Sequence, residues 1–490
     1  MNPTLLFTTC LISAATAQPI INARALNSWA SAANSARADI VMLGDSNQLH
    51  SGFGYNGGYI NALRTSPGIY ATGLLWAGEG NGLGAGDSEG ASTIAVGTTS
   101  PFSFSGAPAQ ADTFGHFITP MSQYLYLPAG SYSGARNMGM NLSTLLDVSA
   151  ALRWRLTDVT FPDAGSYQCS VRLGQAPYSN IATYPATSTG GSWGVRTQEF
   201  AIPAGSRTGA IELRYAPYSF SNTLNAPFLL LWNRCEQPDR RGVSIHTLYA
   251  WGGRSSWQMS TTMTQASTDM LSAYFAQVRA LQNGSPRVLI RINQGLNDTV
   301  ESQPSVGRGI LPGNSPAAFI DNIDVTINRI NEIWDLNQWS RSELTFALSV
   351  AHAIGPAGSP SQQTIDDYRT AATSLIATHP NLCIIGLSEI ISHNEMISRG
   401  YYFTVGTTGP ADYFHLSRLG YEQLSLLETQ LLLNPPCPFD FNEDGGVDGA
   451  DIETFFLAWQ DGLTIADVNA DGGVDGADIE TFFLGWQSGC

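Results

Sequence analysis

Four short strand candidates, Val243 to Leu248, Arg287 to Ile292, Leu344 to Val350 and Leu382 to Leu387, alternate with helix-length segments over residues 239–434. Strands of that length separated by helices are the pattern of a parallel sheet covered on both faces. One helix opens at Ser315-Pro316, a cap followed by a first-turn proline, and puts Ile320, Ile323, Ile327, Ile330 and Trp334 on one stripe. Others are expected at Gln362 to Ile376 and Leu419 to Leu432. A fifth run, Ile40 to Leu43, lies near the other end of the chain. It enters the turn Gly44-Asp45-Ser46-Asn47, with a short helix expected around Tyr59 to Leu63. Together these predict a doubly wound, three-layer α/β sheet of about five parallel strands, in two parts at 18–72 and 239–434. Such sheets bind ligands at the carboxyl ends of their strands.

The interruption, 73–238, begins rich in Gly, Ser and Ala and then changes character. Short alternating segments follow, among them Ala151 to Leu156, Tyr167 to Leu173, Ala210 to Tyr215 and Phe228 to Trp232. With Gly, Pro and Ser turns between them, they predict an inserted β-sandwich. The first 17 residues read as a secretory signal: an apolar run from Leu5 to Ile12, then Ala15-Thr16-Ala17 as a small-x-small cleavage site. No later stretch is apolar for long enough to span a bilayer, so a secreted or cell-surface location is expected. Five cysteines remain after cleavage. Cys437 with Cys490 and Cys169 with Cys235 are the candidate disulfides, and Cys383, in an apolar run, reads as a buried inert thiol.

The tail, 437–490, repeats itself. Asp440 to Asp451 recurs 27 residues later as Asp467 to Asp478, each copy followed by Ile-Glu-Thr-Phe-Phe-Leu-x-Trp-Gln. Oxygen-bearing side chains stand at positions 1, 3, 5, 9 and 12 of each loop, with Gly at position 6, the spacing that lets one short loop surround Ca²⁺. The ligand sets are Asp440, Asn442, Asp444, Asp448 and Asp451, then Asp467, Asn469, Asp471, Asp475 and Asp478. Phe455, Phe456, Trp459 and their counterparts Phe482, Phe483, Trp486 read as the shared core of two short helices. The tail supplies −12 of the net charge of −17, and nothing basic marks a nucleic-acid footprint.

Acyl transfer needs a hydroxyl, a base beside it, an acid that orients the base, and donors for the developing oxyanion. Ser46 follows a buried strand, and Asp412 and His415 are three residues apart. Asp45 and Asp298 read as turn residues that bond their own backbone. His50, His246, His352 and Arg254 read first as structural or surface groups, with a place in the site as the alternative.

Three blocks carry a resemblance: Gly44-Asp-Ser-Asn47, Gly295-Leu-Asn-Asp298 after the run ending at Ile292, and Asp412-x-x-His415. In this order they resemble the sequence blocks of SGNH (GDSL-like) serine hydrolases, over about residues 38–72 and 239–433. The resemblance implies a flavodoxin-like fold and a carboxylic-ester hydrolase. Ser46 is then the nucleophile, His415 the base and Asp412 its orienting acid, with no cofactor for catalysis. The Ser46 N–H, the Asn297 amide and a glycine N–H form the oxyanion hole, the glycine being Gly253 or, in competition, Gly57 or Gly58. The expected substrate is an acylated carbohydrate, with a lipase or short-chain esterase as an alternative and a non-catalytic binding or assembly protein as another. In the tail, Asp at position 12 resembles type I dockerin repeats. Gly449-Ala450 and Gly476-Ala477 lack the polar side chains with which dockerins bind cohesins, so the tail implies a surface-attachment or assembly module rather than cohesin binding.

Overall fold

The structure, a computed structural model, describes residues 19–48, 54–69, 241–251, 255–280, 286–300, 315–352, 362–404 and 411–435, the strands between 75 and 236, and most of 437–488. The predicted signal segment lies outside the described residues. A mixed α/β body is built on a mostly parallel sheet. Its strands are β1 (Ile20–Ile21), β2 (Arg37–Asp45), β3 (Gly242–Trp251), β4 (Val288–Gln294), β5 (Leu344–Val350) and β6 (Leu382–Gly386), in the order β1-β6-β5-β4-β2-β3. β2 to β6 run parallel; β1 is an antiparallel edge, pairing Ile20 with Ile385, that sequence patterning missed because it is two residues long.

Every described side chain of β2, β4, β5 and β6 is buried, which is why these strands are mostly apolar on both faces; the polar groups they carry, among them Asp39, Arg291 and Ser349, are buried as well. Helices α1 (Asn27–Ser35), α2 (Gly54–Thr65), α3 (Ser256–Gln265), α4 (Thr268–Arg279), α5 (Leu296–Val300), α6 (Pro316–Leu336), α7 (Gln362–Ala372) and α8 (Arg418–Leu433) accompany the sheet. The Ser315 hydroxyl caps α6 by accepting the Ala318 N–H at 3.1 Å. The α6 stripe is shifted by one residue at its start: Phe319, not Ile320, is fully buried, together with Ile323, Ile327, Ile330 and Trp334. The helix expected to reach Ile376 tightens into a 3-10 turn at Thr373–Ala377.

The described strands between 75 and 236 form two larger antiparallel sheets and a two-stranded one, Gly130–Ser131 with Thr223–Leu224. One larger sheet orders Ser179–Pro185, Gln168–Gly174, Ile211–Tyr218, Met138–Leu142 and Ala91–Val96; the other orders Gly194–Ile202, Leu152–Thr160, Phe228–Glu236, Leu125–Leu127 and Ser103–Phe104. The Gly- and Ser-rich stretch, read as a separate lead-in, contributes strands at Leu75–Trp76, Ala91–Val96 and Ser103–Phe104 to these same sheets. The second sheet is seated on the α/β body. The Gln277 amide of α4 donates to Thr197 Oγ1 at 3.1 Å and to Thr157 Oγ1 in the seam.

In the tail, α9 (Gly449–Gln460) and α10 (Gly476–Ser488) enclose Phe441, Phe455 and Phe482, the last two stacked at 4.1 Å. The repeat closes on itself reciprocally. Trp459 Nε1 donates to the Asp475 carbonyl and Trp486 Nε1 to the Asp448 carbonyl, both at 2.8 Å. Cys437 is disulfide-bonded, whereas Cys490 lies outside the described residues. Cys169 and Cys235 lie on strands of different sheets, with side chains outside the description. Cys383 is a buried free thiol, and burial pushes its pKa up.

Candidate active site

Going from β2 to β3 the chain winds to one side of β2, and from β3 to β4 it returns to the other. The crevice between the carboxyl ends of β2 and β4 is therefore the topological switch point of the sheet. Two loops meet there.

Ser46 opens a single 3-10 turn, Ser46–Gln48, directly after β2. Asp45 Oδ1 accepts the Asn47 N–H at 2.9 Å, folding the chain back so that Ser46 stands at the sheet edge. Ser46 Oγ lies 2.8 Å from His415 Nε2. The histidine belongs to a hairpin of β7 (Tyr402–Thr404) and β8 (Ala411–Leu416). Its register jumps from Phe403 opposite Asp412 to Tyr402 opposite Leu416, so residues 413–415 bulge out of the pairing and carry His415 with them. Asp412 lies on the same strand, with its side chain outside the described residues.

Asn297 follows β4 on α5. The turn before it is made by Gly295 at φ +109°, a conformation that side-chain-bearing residues rarely adopt. Asn297 Nδ2 donates to Asp45 Oδ2 at 2.8 Å. Asp45 thus joins the Ser46 turn to the Asn297 turn, a role not foreseen in reading it as bonded to its own turn alone. Burial raises the Asp45 pKa, while hydrogen bonds from Asn47, the nearby His415 and the Asn297 amide act in the opposite direction.

Asp298, read as a turn residue, reaches beyond its own turn. Both its oxygens accept the Ser256 N–H at 3.1 Å, and Oδ1 accepts the Ser256 hydroxyl at 2.5 Å. Ser256 is the first residue of α3, whose end offers unsatisfied N–H groups and partial positive charge, so the carboxylate is better satisfied there. Asp298 therefore ties the Asn297 loop to the chain just after residues 252–254. Gly253 and Arg254 fall in that stretch, and they and His50 lie outside the described residues. Gly57 and Gly58 are buried within α2, where a Cβ on Gly58 would come within 2.6 Å of the Tyr421 carbonyl of α8; the close crossing of two helices accounts for it. His246 is buried against Asp39 at 2.6 Å inside the sheet, and His352 Nδ1 pairs with the Tyr55 hydroxyl at 3.1 Å.

In the tail loops, Asp451 and Asp478, at position 12, are fully buried. Asp451 Oδ2 accepts the Asp448 N–H at 2.7 Å and Asp478 Oδ2 the Asp475 N–H at 2.8 Å, so each carboxylate closes its loop from the inside. Asp440 and Asn442 are also described, whereas Asp444, Asp467, Asn469 and Asp471 lie outside the described residues. Among the described residues no three His, Cys, Asp or Glu side chains converge as a metal cluster, and no helix is long and apolar enough to cross a membrane.

No family model matches the chain, and no curated protein matches it in sequence. Solved structures do. A peptidoglycan O-acetylesterase is 14% identical over 86% of this chain and 97% of that one, at a TM-score of 0.50. The fold is similar to that esterase's. A family two carbohydrate esterase from Clostridium thermocellum in complex with cellohexaose overlaps 62% of this chain and 98% of its own, at 12% identity and a TM-score of 0.22. The CBM22-1 xylan-binding domain of Paenibacillus barcinonensis Xyn10C overlaps 34% of this chain and 96% of its own, at 10% identity and a TM-score of 0.23. At these identities the likeness is one of fold, and the two lower scores carry no argument.

Proposed function

We propose that this chain is an SGNH-type serine esterase that removes small acyl groups, acetyl foremost, from carbohydrate. The observation that carries the reading is the 2.8 Å approach of Ser46 Oγ to His415 Nε2 at the switch point of the sheet, beside Asn297. In the proposed cycle His415 takes the Ser46 proton as Oγ attacks the ester carbonyl, then returns it to the leaving alcohol. Water activated by His415 next hydrolyses the acyl-enzyme. Asp412 orients the imidazole. The Ser46 N–H, the Asn297 amide and the Gly253 N–H face the oxyanion.

The two larger antiparallel sheets are proposed to stack as an inserted β-sandwich, bridged by Cys169 and Cys235. Export through the N-terminal signal and a second disulfide between Cys437 and Cys490 belong to the same reading. The test is hydrolysis of p-nitrophenyl acetate, butyrate and octanoate, with acetate release from acetylated xylan and acetylated peptidoglycan. Acetyl preference with release from a glycan is the expected result. Octanoate preference would favour a lipase, and inertness on every ester a binding protein.

We further propose that the tail is a dockerin-like pair of calcium loops serving attachment or assembly. Its hard oxygen donors suit Ca²⁺, and they recur at calcium-loop spacing in both copies. Adding Ca²⁺ at about 100 times its Kd should stabilise the tail by about 2.7 kcal/mol, read as a rise in its melting temperature that chelation reverses. An unchanged melting curve in chelator would remove the calcium assignment.

A further inference from the structure

The interior of the α/β body holds an ion pair that the proposed mechanism does not use. Arg291 of β4 and Glu428 of α8 are both 0% exposed. Arg291 Nε and Nη2 donate to the two oxygens of Glu428 at 2.9 and 2.7 Å, and the Ser349 hydroxyl of β5 donates to the same carboxylate. The guanidinium lies over the rings of Tyr55 and Tyr59 of α2, at 4.7 and 4.9 Å, and Nη1 faces Gln48 Oε1 at 3.4 Å. Burial works against the Arg291 charge, and the Glu428 carboxylate overrides it and raises the pKa. Taking two charges out of water usually adds no net stability over an apolar pair of the same volume, so stability alone does not explain the arrangement.

Its connections do. Arg291 sits six residues before Asn297 on the same strand-turn unit, and Gln48 two residues after Ser46. Glu428 lies on the helix that begins just beyond His415, and Tyr55 and Tyr59 lie on the helix entered from the Ser46 turn. α8 also reaches the same turn through the Tyr421 hydroxyl, which donates to Asn47 Oδ1 at 2.7 Å. We infer that Arg291 and Glu428 are positioning residues: one buried bidentate pair holds the segments bearing Ser46, Asn297 and His415 in mutual register. This rests on the esterase reading. Bidentate geometry suits the task because two parallel hydrogen bonds fix orientation as well as distance, which apolar side chains cannot do.

The test is the double variant Arg291→Met/Glu428→Leu, assayed on p-nitrophenyl acetate together with its melting temperature. A folded double variant with melting temperature near wild type, kcat lowered about 10- to 100-fold and KM within about 2-fold is expected, since a displacement of about 1 Å suffices for such a loss. Wild-type kcat in the folded double variant would overturn the inference and leave the esterase reading standing. If the double variant does not fold, Arg291→Lys keeps the charge and gives up the fork: lowered kcat at unchanged KM supports the inference, and unchanged kcat overturns it. A wild type inert towards esters and towards a fluorophosphonate probe removes the esterase reading, and this inference with it.

Discussion

Replacing Ser46 with Ala is expected to abolish ester hydrolysis, lowering kcat by roughly a million-fold while the protein stays folded. The size of the loss follows from the chemistry. Without Oγ no acyl-enzyme forms, and what remains is water attack helped only by the oxyanion donors and by binding. Stability should move little, because the side chain is half-buried and gives up one hydrogen bond, to His415, worth about 1 kcal/mol. The measurement is the rate on p-nitrophenyl acetate beside circular dichroism of the same sample. A folded variant keeping more than about a thousandth of the wild-type rate would remove Ser46 from the nucleophile role.

Asn297→Ala should cost about 100- to 1,000-fold in kcat with little change in KM, the signature of a donor used chiefly in the transition state. An amide nitrogen carries two N–H groups. One is held by Asp45 Oδ2; in the proposed site the other is the donor to the oxyanion. The same substitution should affect stability with a definite sign. Burial already raises the Asp45 pKa, and Asn297 is one of the groups that lower it, so its loss pushes the pKa further up. A folded state that holds its proton more tightly than the unfolded chain loses stability as pH rises through the interval between the two pKa values. The stability cost of Asn297→Ala should therefore be larger at neutral pH than in acid, as read by urea unfolding at both. Equal costs would separate Asn297 from the Asp45 charge.

The readings that succeeded in sequence were those in which a local pattern has few competing explanations. Short, mostly apolar segments bounded by turns and alternating with helices pointed to the five parallel strands, because both faces of such strands are covered. The Ser315-Pro316 start of α6 was legible because cap and first-turn proline act within one turn of chain. The readings that failed required knowledge of a distant partner. The bond of Asp298 to the N-terminus of α3, 42 residues away in sequence, could not be read from its own turn, and Ile320 yielded its core position to Phe319 because the helix is rotated by what it packs against. Arg291 and Glu428 gave no signal at all: an arginine inside an apolar strand and a glutamate on an amphipathic helix are each unremarkable until they meet 137 residues apart.

By itself, then, the sequence determined the α/β class, the order of the elements, the internal repeat of the tail and the residue types available for nucleophile, base and oxyanion donor. These are short-range properties, written in side-chain periodicity and turn chemistry. Only the tertiary structure decided that Ser46 and His415, 369 residues apart, stand within one hydrogen bond, that Asp45 spans the two loops, and that a buried ion pair lies beneath them. Each of those depends on strand order and helix packing, which are set by the burial of the whole chain: the local blocks around Ser46 and His415 named the partners, but no local stretch carries the distance between them, the second bond of Asp45 or the ion pair.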